Sequence, residues 1–304
     1  MKFKELFDSF ITMRRPFIKE TTLSAYIAHS RRWFGRLQDC EVSEIGTAVL
    51  QQLVAEEVEA GLKRKTISDT VQLVKTVLNW GARMYDIPIK KISVELPSLA
   101  KQGTTSIEFF TPEQVKKIMT FAADSDKPAD KMLALFFTTG LRIGEGLGLR
   151  FSDIDFQKGT ITVNRTVGRR GSIEEGGHTT LYVNTPKTPT SHREIPLVKW
   201  LLTYYKYASK INKPDNYLCS FGGTFIEPRL YRTYYRKILQ ELEIPYLHPH
   251  CMRHTFASTL IRKGCDVKTV SSLLGHTDAT ITLNVYTHTS DNSKKRAISM
   301  FNQL

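Results

Sequence analysis

The segment Thr139-Gly140-Leu141-Arg142-Ile143-Gly144-Glu145 places an arginine just past an apolar stretch, with a carboxylate three residues on. The two share a face if a helix continues. A guanidinium held by a carboxylate presents its remaining donors to a phosphate, and a surface ion pair is the plain alternative. A second cluster is His248-Pro249-His250-Cys251-Met252-Arg253-His254. Pro249 suits the first turn of a helix, which sets His250 near the positive end and Arg253 one turn further along. That arrangement suits an anion. Three histidines in so short a run also raise the question of a metal, but His-Pro-His is not a known ligand spacing and no acidic ligand lies close by, so no metal is expected.

Leu273-Leu274-Gly275-His276-Thr277-Asp278 ends one helix on a glycine and starts another near Asp278, leaving His276 in the corner between them. Tyr286 follows in Asn284-Val285-Tyr286-Thr287-His288. As one tyrosine among twelve it carries no local sign of reactivity. Lys187 lies in Thr185-Pro186-Lys187-Thr188-Pro189, a turn bracketed by prolines that either holds an ammonium out toward a ligand or leaves a solvated loop lysine.

The elements that must position these groups come from periodicity and punctuation. Helical spacing is expected over 3–13, 21–37, 43–59 and 66–85, with Gly61 as a stop. Pro88, Pro97, Gly103 and the polar run 101–106 then break the pattern as an interdomain linker should. Thr111-Pro112-Glu113-Gln114 is a strong helix start, with Thr111 as N-cap, Pro112 at the first helical position and Gln114 closing a capping box. A further helix is expected over 129–139. Short strands are expected at 160–166, pairing with 180–184 and 193–196, with a glycine-bearing loop over 165–184 whose Arg169-Arg170 pair either touches a ligand or is solvated. Helices dominate after Leu197.

At 304 residues the chain is long enough for two domains. With 41% hydrophobic and 24% charged residues it is neither a disordered nor a membrane composition. No apolar run approaches the ~18 residues of a spanning helix. The first residues lack a secretory signal, so a cytoplasmic protein is expected. Cys40, Cys219, Cys251 and Cys265 form no Cys-x-x-Cys pair and read as reduced thiols. The net charge of +13 is what a polyanion-binding protein shows. Residues 1–100 contribute only +3 of it, from 15 Lys and Arg against 12 Asp and Glu, so the C-terminal part carries the excess.

Arg142, Lys187, His250, Arg253, His276 and Tyr286, in that order and in these contexts, resemble the active site of the tyrosine recombinases, the phage-integrase family. Thr-Gly-Leu-Arg-Ile-Gly-Glu, His-Pro-His-x-x-Arg-His-Thr-Phe-Ala and Leu-Gly-His-Thr-Asp match at once, and the tyrosine follows the last at the family's short interval. The resemblance implies a mainly α fold with a small antiparallel sheet: a helical core-binding domain over 1–87, a linker over 88–110, an α+β catalytic domain over 111–290 and a tail helix over 291–304, together a C-shaped DNA clamp. In the tail, Ala297, Met300, Phe301 and Leu304 fall on one stripe, suited to a neighbouring protomer or to the chain's own core.

The family's chemistry explains the residue types. A tyrosine hydroxyl has a pKa near 10 and must attack a phosphodiester that already carries negative charge. Arg142 and Arg253 would donate paired hydrogen bonds to the non-bridging oxygens, with His276 a third donor. His250 resembles the family's general base, Lys187 the group that protonates the departing 5′-oxygen, and Glu145 an acidic residue that orients its neighbours. The resemblance implies a 3′-phosphotyrosine intermediate formed without metal, cofactor or ATP, and a tetramer on two DNA duplexes, with no membrane or small-molecule partner. The histidine-rich second motif and glycine-rich loop tilt the expectation toward a mobile-element integrase over dimer resolution. Nothing before Phe3 encodes an arm-site domain, which fits a simple-site member or a truncated chain. A type IB topoisomerase-like relaxing enzyme would share the tyrosine, arginines and lysine, but small size and the helical N-terminal part favour recombination. A non-catalytic DNA-binding regulator on the same fold would be expected to lose some of the six residues, and all six are present.

Overall fold

The computed structural model describes residues 1–98, 108–172, 177–184, 192–221 and 223–275. It divides into two compact units, one of Met1–Thr105 with Arg170–Thr180 and the other of Ser106–Arg169 with Leu181–Leu304. The described chain is mainly helical with small antiparallel pairings, as expected.

In the first unit, α1 (Phe3–Arg14), α2 (Glu20–Leu37), α3 (Thr47–Glu59) and α4 (Arg64–Tyr85) enclose one core. Ile67, Val71, Val74 and Leu78 of α4 recur at steps of three and four and are all buried, joining Leu6, Phe7 and Phe10 of α1. Two expectations shift. The helix expected over 43–59 is broken: Val42–Glu44 is a 3-10 turn, Gly46 is extended, and α3 begins at Thr47. A glycine in a helix interior costs about 1 kcal/mol relative to alanine, and the break lets Val42 and Ile45 both reach the core. The segment expected as linker is also not bare through residue 98. Ile87, Ile89, Ile92, Val94 and Leu96 pack on this core. Gln51 of α3 clasps the Glu95 backbone in both directions, accepting from its amide at 2.8 Å and donating to its carbonyl at 3.1 Å.

The second unit opens as its sequence directs. Thr111 caps α5 (Pro112–Asp124), accepting from the Gln114 amide at 3.2 Å, while Gln114 accepts from the Thr111 amide at 2.9 Å. Helix α6 (Pro128–Thr139) is apolar all round and wholly internal from Met132 to Phe137. Short helix α7 (Ile143–Leu147) follows. Strands β1 (Ile154–Asp155), β2 (Thr160–Val163) and, after an excursion, β5 (Arg193–Pro196) form an antiparallel sheet in the order β1-β2-β5. The excursion holds β3 (Thr166–Arg170) and β4 (Thr180–Asn184), a separate two-stranded sheet.

This corrects two expectations. Residues 180–184 pair with 166–170 and not with 160–163, and the stretch 165–184 is in part a sheet and not only a loop. The reason lies in Asp153, whose carboxylate accepts from the Arg150 amide at 2.7 Å and the Asn164 side chain at 3.0 Å, and is ion-paired to Arg165. Asn164 and Arg165 are thereby drawn away from the strand line after Val163.

Helices α8 (Lys199–Ala208) and α9 (Pro228–Glu241), separated by the β6 (Ser220–Phe221) and β7 (Thr224–Phe225) hairpin, complete the layer on α6. Tyr205, Tyr231 and Tyr235 are fully buried within it. Helices α10 (His250–Arg262) and α11 (Val267–Leu274) close the described unit.

Gly146 shows how tightly α7 is held: a Cβ there would stand 2.3 Å from Cε1 of Phe136. Gly146→Ala should therefore destabilise the protein by about 1–3 kcal/mol in urea unfolding. Gly35→Ala, at an exposed position of α2 with no neighbour within 4 Å, should be neutral or stabilising; equal losses at both positions would refute the close-packing account.

Candidate active site

Helix α6 stops at Gly140, whose left-handed backbone (φ 64°) turns the chain and whose amide bonds back to the Phe136 carbonyl. A Cβ at this position would lie 2.5 Å from Cδ1 of Phe256 and 2.8 Å from Cδ2 of Leu274, so only glycine lets α6, α10 and α11 meet here. Two residues on, Arg142 adopts extended backbone and starts α7. Its amide donates to Oε2 of Glu145 at 3.0 Å and its Nη1 to Oε1 at 2.7 Å. The Arg142 side chain remains 43% exposed, whereas that of Glu145 is 6% exposed. The arginine is therefore anchored at one edge and open to a ligand.

Burial works to raise the Glu145 pKa, but the charge and hydrogen bond of Arg193, with those of Arg142, outweigh it and hold the carboxyl below its usual range. Arg193 was not anticipated as a site residue. It lies on β5 opposite Val163, in register with Ile195 opposite Ile161, and its Nη2 donates to Oε2 of Glu145 at 2.9 Å. Strand alternation was the available signal, since Arg193 falls two residues before the inward-facing Ile195 and so on the same face.

Helix α10 begins at His250, as the proline before it predicts. The His250 amide donates to Nδ1 of His248 at 3.2 Å. Arg253, one turn on, is 2% exposed. Its Nη1 donates to the Gly140 carbonyl at 2.9 Å and its Nη2 to that of Leu274 at 2.7 Å, which fixes the guanidinium plane with two of its five donors. His250 is accessible to solvent. Even so, desolvation is the largest influence on its ring, followed by His254, Arg253 and Arg142, and together they push its pKa down to about 4. The His254 ring meets it edge to face at 4.8 Å.

The structure thus brings Arg142, Glu145, His250 and Arg253 together around the end of α6 and the start of α10. Lys187, His276 and Tyr286, and the tail 291–304, lie outside the described residues. Helix α11 does end at Gly275 with left-handed backbone (φ 67°), the expected stop immediately before His276. Arg169 lies on β3, and though exposed to solvent its Nε and Nη2 clasp Glu227 at 2.6 and 2.9 Å, a bidentate pair that the sequence spacing does not reveal. Among the described residues no three His, Cys, Asp or Glu side chains cluster as a metal site would require, and no helix is long and apolar enough to cross a membrane.

Residues 108–293 match the description of the phage integrase family. A tyrosine recombinase XerC-like protein of Caldanaerobacter subterraneus subsp. tengcongensis is 30% identical over 310 residues, covering 94% of this chain and 78% of that protein. The chain belongs to the phage integrase family of tyrosine recombinases. As a site-specific recombinase enzyme it is also similar, at 28% identity over 229 residues, to the transposase of transposon Tn916 from Enterococcus faecalis, covering 69% of this chain and 55% of that protein. In fold, the recombinase is similar to the Tn1549 transposon integrase in complex with transposon right end DNA, with a TM-score of 0.78 at 22% identity and coverage of 99% and 100% of the two chains.

A depressed histidine pKa has a stability consequence. The unfolded chain takes up the His250 proton near the ordinary value of 6.5, while the folded recombinase resists it until about 4, so this contribution is present above 6.5 and is lost as pH falls toward 4. Denaturant titrations across that window should show a smaller loss of stability on acidification for His250→Asn than for the unaltered recombinase; parallel curves would contradict the assignment.

Proposed function

We propose that the recombinase cuts one DNA strand by attack of the Tyr286 hydroxyl on the scissile phosphate. The Oη–P bond forms and the P–O5′ bond breaks. His250 takes the tyrosine proton, and Lys187 gives a proton to the departing 5′-oxygen. The observation that carries this reading is the convergence of Arg142, Arg253 and His250 in one unit of a phage integrase family member. Two guanidiniums supply charge where the phosphorane-like transition state gathers it. With its pKa pushed down to about 4, His250 is held at physiological pH in the neutral form that a general base requires, at some cost to its basicity. Glu145 keeps Arg142 oriented. His276, one residue past the fixed end of α11, completes the donors.

The product is a 3′-phosphotyrosine with a free 5′-hydroxyl. Because this ester keeps the phosphodiester's energy, a 5′-hydroxyl from another duplex reverses the step without ATP, and no metal is called for where arginines balance the charge. The reading extends to a cytoplasmic tetramer that joins two duplexes, each protomer clamping DNA between a core-binding and a catalytic domain and offering its tail stripe to a neighbour. DNA as partner is supported by the Tn1549 integrase having been captured on transposon end DNA.

On a nicked suicide substrate carrying its cognate site, the recombinase should form a protein–DNA adduct that survives denaturant. Tyr286→Phe should form none. Arg142→Ala should slow adduct formation by about 10²–10³-fold, the usual cost of one such donor. A chelator should change nothing. An adduct with Tyr286→Phe, or cleavage lost on chelation, would sink the mechanism.

We further propose integration and excision of a mobile element over dimer resolution, supported by the relation to the Tn916 transposase. Mapping the DNA that the recombinase cleaves in its source genome should place the sites at the two ends of one element. A lone chromosomal or plasmid site overturns this part of the proposal.

A further inference from the structure

We infer that Arg193 is a positioning residue of the recombination site, holding Arg142 and the end of α11 at Gly275 in one fixed relation. The inference rests on the reading of Arg142 and His276 as phosphate-binding groups. Arg193 is 8% exposed and stands on the inward face of β5. Its guanidinium works in two directions. Nη2 donates to Oε2 of Glu145 at 2.9 Å, and Nε donates to the Leu273 carbonyl at 2.7 Å. Glu145 passes the constraint on, because its two oxygens also hold the amide and Nη1 of Arg142. A continuous path of hydrogen bonds therefore runs from Arg142 through Glu145 and Arg193 to the last turn of α11.

The far end of that path sits at a place where position matters. A helix leaves its last carbonyls without intrahelical partners, and cations satisfy them well. Arg193 takes Leu273 and Arg253 takes Leu274, two successive carbonyls. The next residue, Gly275, lies against the same guanidinium: a Cβ there would stand 3.0 Å from Nη1 of Arg193. The end of α11 at Leu273 to Gly275 is thus held by two arginines, one of which, Arg253, is also a proposed phosphate ligand. Stability alone does not explain the choice of residue, since a buried ion pair is often matched or bettered by apolar side chains of similar volume. Lysine offers one ammonium and no rigid fork, so it cannot reproduce the two fixed directions.

The test is a double-mutant cycle read by single-turnover adduct formation on the nicked substrate, with thermal melting and gel shift measured alongside. Arg193→Met should slow adduct formation by about 10²-fold, the scale expected when a reacting group is displaced by about 1 Å, while the protein stays folded and bound to DNA. Arg193→Lys should recover only part of the rate. In a Glu145→Gln background, Arg193→Met should cost much less than it does alone, because the path to Arg142 is already cut. Three outcomes overturn the assignment: wild-type rates in both Arg193 variants, losses that multiply independently across the cycle, or a rate loss that only tracks the loss of folded protein. Should Arg193→Met fail to fold, Arg193→Lys decides alone, and a wild-type rate there overturns the role. An unaltered recombinase that forms no adduct strikes instead at the phosphate-site reading beneath, and removes this role with it.

Discussion

The carboxylate of Glu145 is the constraint on which the rest of the site depends. It is almost fully removed from water, where an ionised carboxylate is costly unless paired and hydrogen-bonded. Its two oxygens meet the requirement by accepting from the Arg142 backbone, the Arg142 side chain and Arg193. Removing one of these partners would weaken that compensation and leave the other arginine to carry it. The arginines are therefore held where the carboxylate needs them, and Arg142 is turned outward as a consequence.

Around this centre the unit is assembled from the ends of helices. The end of α6 is turned by Gly140, the end of α11 by Gly275, and both glycines occupy left-handed backbone beside bulky neighbours. Arg253 ties these two ends together through the Gly140 and Leu274 carbonyls. Carbonyls that helices ordinarily leave to water are satisfied here by Arg253 and Arg193. Fold and site therefore share their hydrogen bonds, and apolar α6 supplies the rigid interior against which both are set.

The electrostatic outcome is a region rich in fixed positive charge that contains a neutral histidine. Arg142 and Arg253 sit close enough to His250 to oppose its protonation, after desolvation has already disfavoured it. The same cations thus hold the imidazole in its neutral form, at some cost to its basicity. The net charge of +13 is concentrated toward the C-terminal part of the chain, in keeping with a polyanionic partner there.

What the sequence by itself determined is local. The capping box at Thr111, the proline before His250, the glycine after Leu274 and the apolar period of α4 each depend on neighbours within a turn or two, and each appears as written. Arg142, Glu145, His250 and Arg253 were legible because their motifs are short and contiguous. Only the tertiary structure decided which strand pairs with 180–184, since Asp153 redirects the chain after Val163 through contacts that sequence distance conceals. It alone showed Ile87 to Leu96 lying on the first core, and Arg169 bound to Glu227. Arg193 is the clearest instance: alternation places it inward, but its partner lies 48 residues back and its second acceptor 80 residues on. A buried charge is intelligible only when the opposite charge brought to it by folding is known.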